Sequence, residues 1–182
     1  GGVRPNGMTL IGGTSTCLLG LSEEEFHVDG VNGTYPNCMY DGTSLLEGGQ
    51  TAAGSILTWF KNNLLPAAWM QEAVNRNMNI YDLITEKASA VPIGCDGLVM
   101  MDYFQGNRAP YADSKARGMF WGLSIGTTPA HLARAVYEGV AYGANHCIVS
   151  MKKAGYDVKE IYACGGLAQS DFWMQMHADI IG

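Results

Sequence analysis

Ile161-Tyr162-Ala163-Cys164-Gly165-Gly166-Leu167-Ala168-Gln169-Ser170 runs from four β-compatible side chains through two glycines to a residue suited to cap a helix. The apolar run has the length of a short buried strand, the glycines end it, and Ser170 can accept a hydrogen bond from the first turn of a helix beginning at the next residue. Strand, glycine turn and helix in that order is the unit from which α/β domains are assembled. Upstream, Leu132, Ala135, Val136, Val140, Ala144, Cys147, Ile148 and Met151 recur at a 3.6-residue period and predict a long amphipathic helix from Pro129 to Lys153. Thr128 is placed as its N-cap, Pro129 at its first position and Gly155 as its left-handed stop. Gly139 and Gly143, on or beside the stripe, would let this helix approach a sheet closely.

Earlier segments fit the same class. Met8 to Leu21 reads as two short strands around Gly12-Gly13-Thr14-Ser15-Thr16. Ser22 to Gly42 is rich in turn signals, among them Asp29-Gly30, Asn32-Gly33 and Pro36-Asn37, and is expected to hold short strands. Glu47-Gly48-Gly49-Gln50 leads into a helix over Thr51 to Leu64, in which Ala52, Ile56, Trp59 and Phe60 keep helical spacing. Pro66 to Ala90 predicts one or two further helices, Leu98 to Met101 a short buried strand, and Gln105 to Lys115 a loop. The expected fold is α/β, a mixed sheet flanked by helices.

Composition narrows the function. The 182 residues are 47% apolar and 15% charged, which suits one globular domain. A net charge of −6 argues against a general nucleic-acid binder, because nothing here could neutralise a run of phosphates. No apolar run approaches the roughly 20 residues that span a bilayer, and no leader opens the chain, so a soluble cytoplasmic protein is expected. Cys17, Cys38, Cys95, Cys147 and Cys164 show no metal-ligand spacing and read as reduced thiols, Cys147 and Cys164 as small buried hydrophobes. Lys152 and Lys153 read as a solvated helix end. The opening Gly1-Gly2 and the closing Ile180-Ile181-Gly182 look cut, so a fragment of a longer protein is expected.

Two glycine turns can carry chemistry. Gly13-Thr14-Ser15 offers unobstructed backbone N–H groups and hydroxyls that can wrap phosphate, or it is a plain hairpin turn. Gly165, Gly166, Gln169 and Ser170 lie between strand and helix, where glycines let a base or ribose rest on the main chain; close helix–strand packing is the other reading. Neither turn is a Walker loop or a dinucleotide fingerprint. Arg108 can reach a phosphate or fix its own loop, and Glu138 can orient the nucleotide loop or bond locally. His131, His146 and His177 share no metal-ligand spacing.

Gly118-Met119-Phe120-Trp121-Gly122-Leu123 is followed after seven residues by His131-Leu132 and then by Ala135-Val136-Tyr137-Glu138-Gly139. This stretch resembles the C-terminal signature of the FGGY carbohydrate kinases, the family of glycerol, xylulose, ribulose and gluconate kinases. Arg108-Ala109-Pro110-Tyr111-Ala112-Asp113 and Arg117-Gly118 resemble the loop that enters it. Gly13-Thr14-Ser15 is then similar to the family's phosphate-binding turn. Gly165-Gly166-Leu167-Ala168-Gln169-Ser170, with Trp173-Met174-Gln175 and Ala178-Asp179-Ile180, is similar to its adenosine motif. The resemblance implies the actin-like ATPase (ribonuclease H-like) fold, with residues 1–182 as the C-terminal nucleotide-binding lobe and the sugar-binding lobe absent.

The same resemblance implies ATP as co-substrate, Mg2+ and a small sugar or polyol as substrate; charge and hydropathy add no nucleic-acid and no membrane partner, and a homodimer is a permitted assembly. The general-base Asp and most magnesium carboxylates of the family belong upstream of residue 1, so this lobe alone is expected to be inactive. Gly13-Thr14-Ser15-Thr16-Cys17 and Glu47-Gly48-Gly49-Gln50 are closer to ribulose-type than to glycerol kinases, which favours a ketopentose, with a polyol next. Two other readings stand beside this one: a non-catalytic actin-like sensor or assembly protein, and a domain whose glycine turns are structural.

Overall fold

Gly13-Thr14-Ser15 folds the chain back on itself, so that β1 (Gly7–Gly12) and β2 (Thr16–Ser22) pair antiparallel with Ile11 opposite Cys17. The computed structural model describes residues 4–28 and 30–182, so the Asp29 of one turn signal and the Gly1-Gly2 opening lie outside the described residues. β3 (Asn32–Pro36) and β4 (Ser44–Gln50) extend the sheet beyond β2, and β7 (Glu160–Gly165) joins the other side of β1 in parallel, giving the order β3-β4-β2-β1-β7. The sequence marks residues 47–50 only as the lead-in to a helix. They are strand, because β4 registers on β2 from Ser22↔Ser44 to Thr16↔Gln50, and Gly48 and Gly49 contribute no side chain to an alternating pattern.

Helix α1 (Gly54–Asn63) follows β4 directly, and the predicted helical stretch from Pro66 resolves into α2 (Ala67–Asn75) and α3 (Ile80–Ser89). A separate two-stranded sheet pairs β5 (Val99–Met101) with β6 (Met119–Trp121). β5 corrects an expectation: Met100 is buried, but Val99 and Met101 face outward. β7 is likewise half-buried rather than enclosed, since it forms the edge of its sheet, and Cys164 near its end is exposed, not a core residue.

The long helix α4 (Pro129–Lys153) is the centre of the lobe. Every residue from 133 to 141 is buried, a run that a one-sided amphipathic helix does not have. The stripe read from the sequence is therefore only part of its buried surface. α3 and α5 (Asp171–Ile181) pack on it, and β5 comes close enough that a Cβ on Gly139 would lie 2.5 Å from the Met100 carbonyl. Each fully buried Val, Leu or Ile here contributes about 1.5–3 kcal/mol, so α4 and its neighbours hold much of the stability.

Both predicted ends of α4 are realised. The Thr128 N–H donates to His131 Nδ1 at 3.3 Å and the Thr128 hydroxyl lies 2.7 Å from the same nitrogen; Gly155 stops the helix at φ +100°. With Nδ1 accepting, the His131 proton sits on Nε2, 3.2 Å from Asp96 Oδ2, so this histidine ties the helix start to the turn before β5. Among the described residues no helix is long and apolar enough to cross a membrane.

Candidate nucleotide cleft

The two glycine turns meet because β1 and β7 are parallel neighbours, with Gly12 opposite Gly165 at their C-terminal ends. Gly165 has φ +90°, and a Cβ there would overlap the Gly12 carbonyl, so only glycine allows this approach. Beyond it, Gly166–Gln169 form one short 3-10 turn, and Ser170 caps α5 by accepting the Trp173 N–H at 3.3 Å.

The phosphate-type turn is held from beneath by the start of α1. Ala53 and Ser55 N–H donate to the Thr14 carbonyl at 2.9 and 3.1 Å, the Gly54 N–H donates to the Gly13 carbonyl at 3.0 Å, and the Ser55 hydroxyl donates to the Thr14 carbonyl at 2.9 Å. α1 has no side-chain cap; its orphan amides are satisfied by this turn instead. A Cβ on Gly54 would sit 2.6 Å from the Gly13 carbonyl, so the close fit requires glycine there as well. The Gly13 and Thr14 carbonyls are thus taken up by α1 and the Ser15 carbonyl by the Gly13 N–H at 2.9 Å, while the Thr14 and Ser15 amides have no intramolecular partner among the described residues and both side chains are exposed. Unpaired N–H groups with hydroxyls beside them suit an anion.

Between the turns opens a cleft of about 840 Å³, with Gly13 and Thr14 at one end, Gly54, Ser55 and Thr58 of α1 along one side, and Gly166, Gln169 and Ser170 on the other. Tyr137 and Trp173 form part of its wall, their rings edge to face with centroids 4.9 Å apart, and Trp173 Nε1 donates to the Tyr137 carbonyl at 3.2 Å. Burial pushes the Tyr137 phenol up to about 12, against the Thr85 hydrogen bond and with the Asp82 charge adding to the rise, so it is a neutral hydroxyl at ordinary pH. A smaller cavity of about 250 Å³ along β7 and α5 has mainly apolar walls and meets neither Thr14 nor Gly166.

Of the residues singled out from the sequence, Gly13, Thr14, Gly166, Gln169 and Ser170 line the cleft. Ser15 and Gly165 lie in the same turns without being part of its wall. Arg108 and Glu138 are elsewhere. Arg108 pairs with Glu47 of β4, and Glu138 is bound within α4 to Arg134 Nε at 2.6 Å and accepts the Gly94 N–H at 3.1 Å. These are the local-bonding alternatives, and both side chains act on loops rather than on the cleft. Glu47-Gly48-Gly49-Gln50 is likewise a clamp: Gln50 Nε2 donates to Asp102 Oδ2 at 2.7 Å and to the Val140 carbonyl at 3.0 Å, tying sheet, loop and α4 together. Burial holds the Asp102 carboxyl above the usual carboxylate range, partly opposed by that Gln50 bond. His146 and His177 stay in helices; His177 is buried with Nδ1 2.8 Å from the Trp173 carbonyl, and its desolvation lowers its pKa.

The α3 wall, Asn79, Tyr81, Asp82 and Thr85, has no counterpart among the sequence expectations. Nothing in residues 79–85 carries a motif; only the packing of α3 on α4 brings them to the cleft. Among the described residues, no three His, Cys, Asp or Glu side chains gather in a way that could hold a metal ion.

Sheet order, the central α4 and the paired glycine turns define a lobe of the actin-like ATPase fold. Residues 8–182 match the family model described as the FGGY family of carbohydrate kinases, C-terminal domain, and the chain belongs to that family. It is 34% identical over 178 residues to the ribulokinase of Bacillus licheniformis, covering 97% of this chain and 32% of that protein. It is 35% identical over 181 residues to the ribulokinase of Halalkalibacterium halodurans, covering 99% and 32%. The crystal structure of xylulose kinase from Rhodospirillum rubrum superposes with a TM-score of 0.84 at 29% identity, over 98% of this chain and 34% of that one. The chain therefore spans about a third of the length of these relatives.

Proposed function

We propose that residues 1–182 are the ATP-binding lobe of a kinase that phosphorylates a ketopentose. The observation that carries this is the meeting of Thr14 and Gly166 on one cleft, although 152 positions separate them in the chain. The relatives named ribulokinase and xylulose kinase support the ketopentose, and none of these supports a non-catalytic sensor.

In this reading Gly166, Gln169 and Ser170, in the turn that Gly165 shapes, hold the adenosine, and the Thr14 and Ser15 amides and hydroxyls, in the turn that Gly13 closes by donating to the Ser15 carbonyl, hold the β- and γ-phosphates. Phosphoryl transfer asks mainly for position and charge stabilisation, which preorganised amides can supply. Among the described residues no Lys or Arg lines the cleft, so the rest of the phosphate charge falls to Mg2+ and to groups outside residues 1–182. Magnesium commonly arrives with phosphates and one or two carboxylates rather than in a protein cage. The bond from the γ-phosphorus to the bridging β-oxygen breaks as the sugar hydroxyl oxygen bonds to that phosphorus, and the hydroxyl proton passes to a carboxylate of the other lobe. Closure of the two lobes would exclude water and so favour the sugar over hydrolysis. A soluble, cytoplasmic enzyme that assembles as a homodimer completes the proposal.

The test is replacement by Val of Gly166, which lines the cleft and where an added Cβ meets nothing closer than the Gly12 carbonyl at 3.9 Å, in the full-length protein, with ADP release followed against ribulose and xylulose. The KM for ATP is expected to rise by about tenfold or more, since a lost close approach costs at least ~1.4 kcal/mol of binding. An unchanged KM removes the adenosine assignment, and no ADP release with any pentulose, polyol or hexulose removes the kinase reading.

A further inference from the structure

Among the described residues Asp82 is the one charged side chain on the cleft wall, and its carboxylate has neither a hydrogen bond nor an ion pair. A lone carboxylate in a cleft for a polyanion is out of place beside the phosphates, where like charges repel. The phosphate turn and Asp82 are on different elements, β1–β2 and the first turn of α3. What suits Asp82 is an N–H or O–H donor on a neutral part of the ligand, because an ionised carboxylate only accepts.

Its neighbour supplies the complementary half. Asn79 caps α3 with its Oδ1, which accepts the Tyr81 N–H at 2.9 Å. That bond fixes which way the amide faces and leaves Nδ2 as a donor on the same wall. An acceptor at Asp82 beside a donor at Asn79 matches the edge of adenine, whose exocyclic amine donates next to a ring nitrogen that accepts. A 6-oxo purine presents the reverse order, an acceptor next to an N–H, and meets a carboxylate with its carbonyl oxygen.

We infer that Asp82, with Asn79, is the specificity-determining pair of the cleft and selects a 6-aminopurine nucleotide over a 6-oxopurine one. This rests on the ATP reading above and deepens it. Tyr81 and Thr58 stiffen the site, since their hydroxyls lie 3.2 Å apart and join α3 to α1, while Thr85 and Tyr137, 2.8 Å apart, join α3 to α4. The α3 wall is thus fixed to both of its neighbours before any ligand arrives, as selection by hydrogen-bond direction requires.

Binding of ATP, inosine triphosphate and 2′-deoxy-ATP to the full-length protein and to its Asp82→Asn and Asp82→Ala variants tests the inference. The wild type is expected to hold ATP about tenfold or more tighter than inosine triphosphate, and Asp82→Asn, whose amide can turn to donate, to bring the two within about threefold. Asp82 is exposed, so neither variant is expected to disturb folding. Discrimination retained in both variants overturns the role of Asp82 and leaves the ATP cleft standing. Loss of the ATP against 2′-deoxy-ATP preference instead would place the ribose, not the base, on Asp82 and overturn the inference equally. Failure of the wild type to bind any of the three overturns the nucleotide reading and this one with it.

Discussion

Replacing Glu138 by Ala strips α4 of a carboxylate whose side chain is 5% exposed and leaves the Arg134 guanidinium, 8% exposed, without its ionic partner. Two bonds are lost, the 2.6 Å contact to Arg134 Nε and the 3.1 Å bond from the Gly94 N–H. Arg134 keeps a 3.3 Å bond to the Val91 carbonyl and its place 5.2 Å from the centre of the Phe172 ring, neither of which neutralises it. Breaking a buried pair on one side costs about 3–5 kcal/mol, mainly because the remaining charge is stranded. With a urea slope of roughly 2 kcal/mol/M, the unfolding midpoint should fall by about 1.5–2.5 M. Glu138→Gln, which keeps an acceptor for Gly94, should lose less. Removing both charges by Arg134→Met with Glu138→Leu should recover most of the loss, since an apolar pair of similar volume is often as stable as the ion pair. ATP affinity of the folded Glu138→Gln protein is expected to stay within about threefold of wild type. A midpoint shift below about 0.5 M for Glu138→Ala would refute the stranded-charge reasoning. A large loss of ATP affinity without loss of stability would return Glu138 to the nucleotide site.

Gly54→Ala should push the Gly13 carbonyl away from α1 and weaken ATP by about tenfold while weakening AMP far less, as competition binding would show; equal losses for both would mean that the turn does not hold the outer phosphates. With a thiol reagent near neutral pH, the exposed Cys38 and Cys164 should react first. Cys95 and Cys147, both pushed up to about 12 mainly by burial, should react only as the protein opens, and prompt labelling of Cys147 would contradict its buried site on α4. Because burial raises the Asp102 carboxyl in the folded state, the native form keeps a proton that the unfolded chain has already released. Stability should therefore fall as pH rises from the ordinary Asp value through the raised one, and Asp102→Asn should flatten that part of a melting-temperature profile. Parallel profiles would remove the effect.

Local signals in the sequence were enough for α4, the β1–β2 hairpin and the cap of α5. Thr128 and His131 act three positions apart, and Ser170 and Trp173 likewise, so each of these boundaries is written within one turn of chain. The two glycine turns were also legible, because an unobstructed backbone is itself a sequence property, and the stretch from Gly118 to Gly139 carried the family resemblance. β4 was not legible, since its pairing with β2 is made by main-chain bonds that Gly48 and Gly49 leave no side-chain trace of.

Tertiary structure alone decided which way the ambiguous polar residues turned. Arg108 bonds across 61 positions to Glu47, Glu138 across 44 to Gly94, and Gln50 across 52 to Asp102. Such partners are set by the packing of α4 against the sheets and leave no spacing in the chain to read. The α3 wall of the cleft and the all-round burial of α4 belong to the same class. Periodicity reports one face of one helix, whereas enclosure depends on what three or four distant segments place around it.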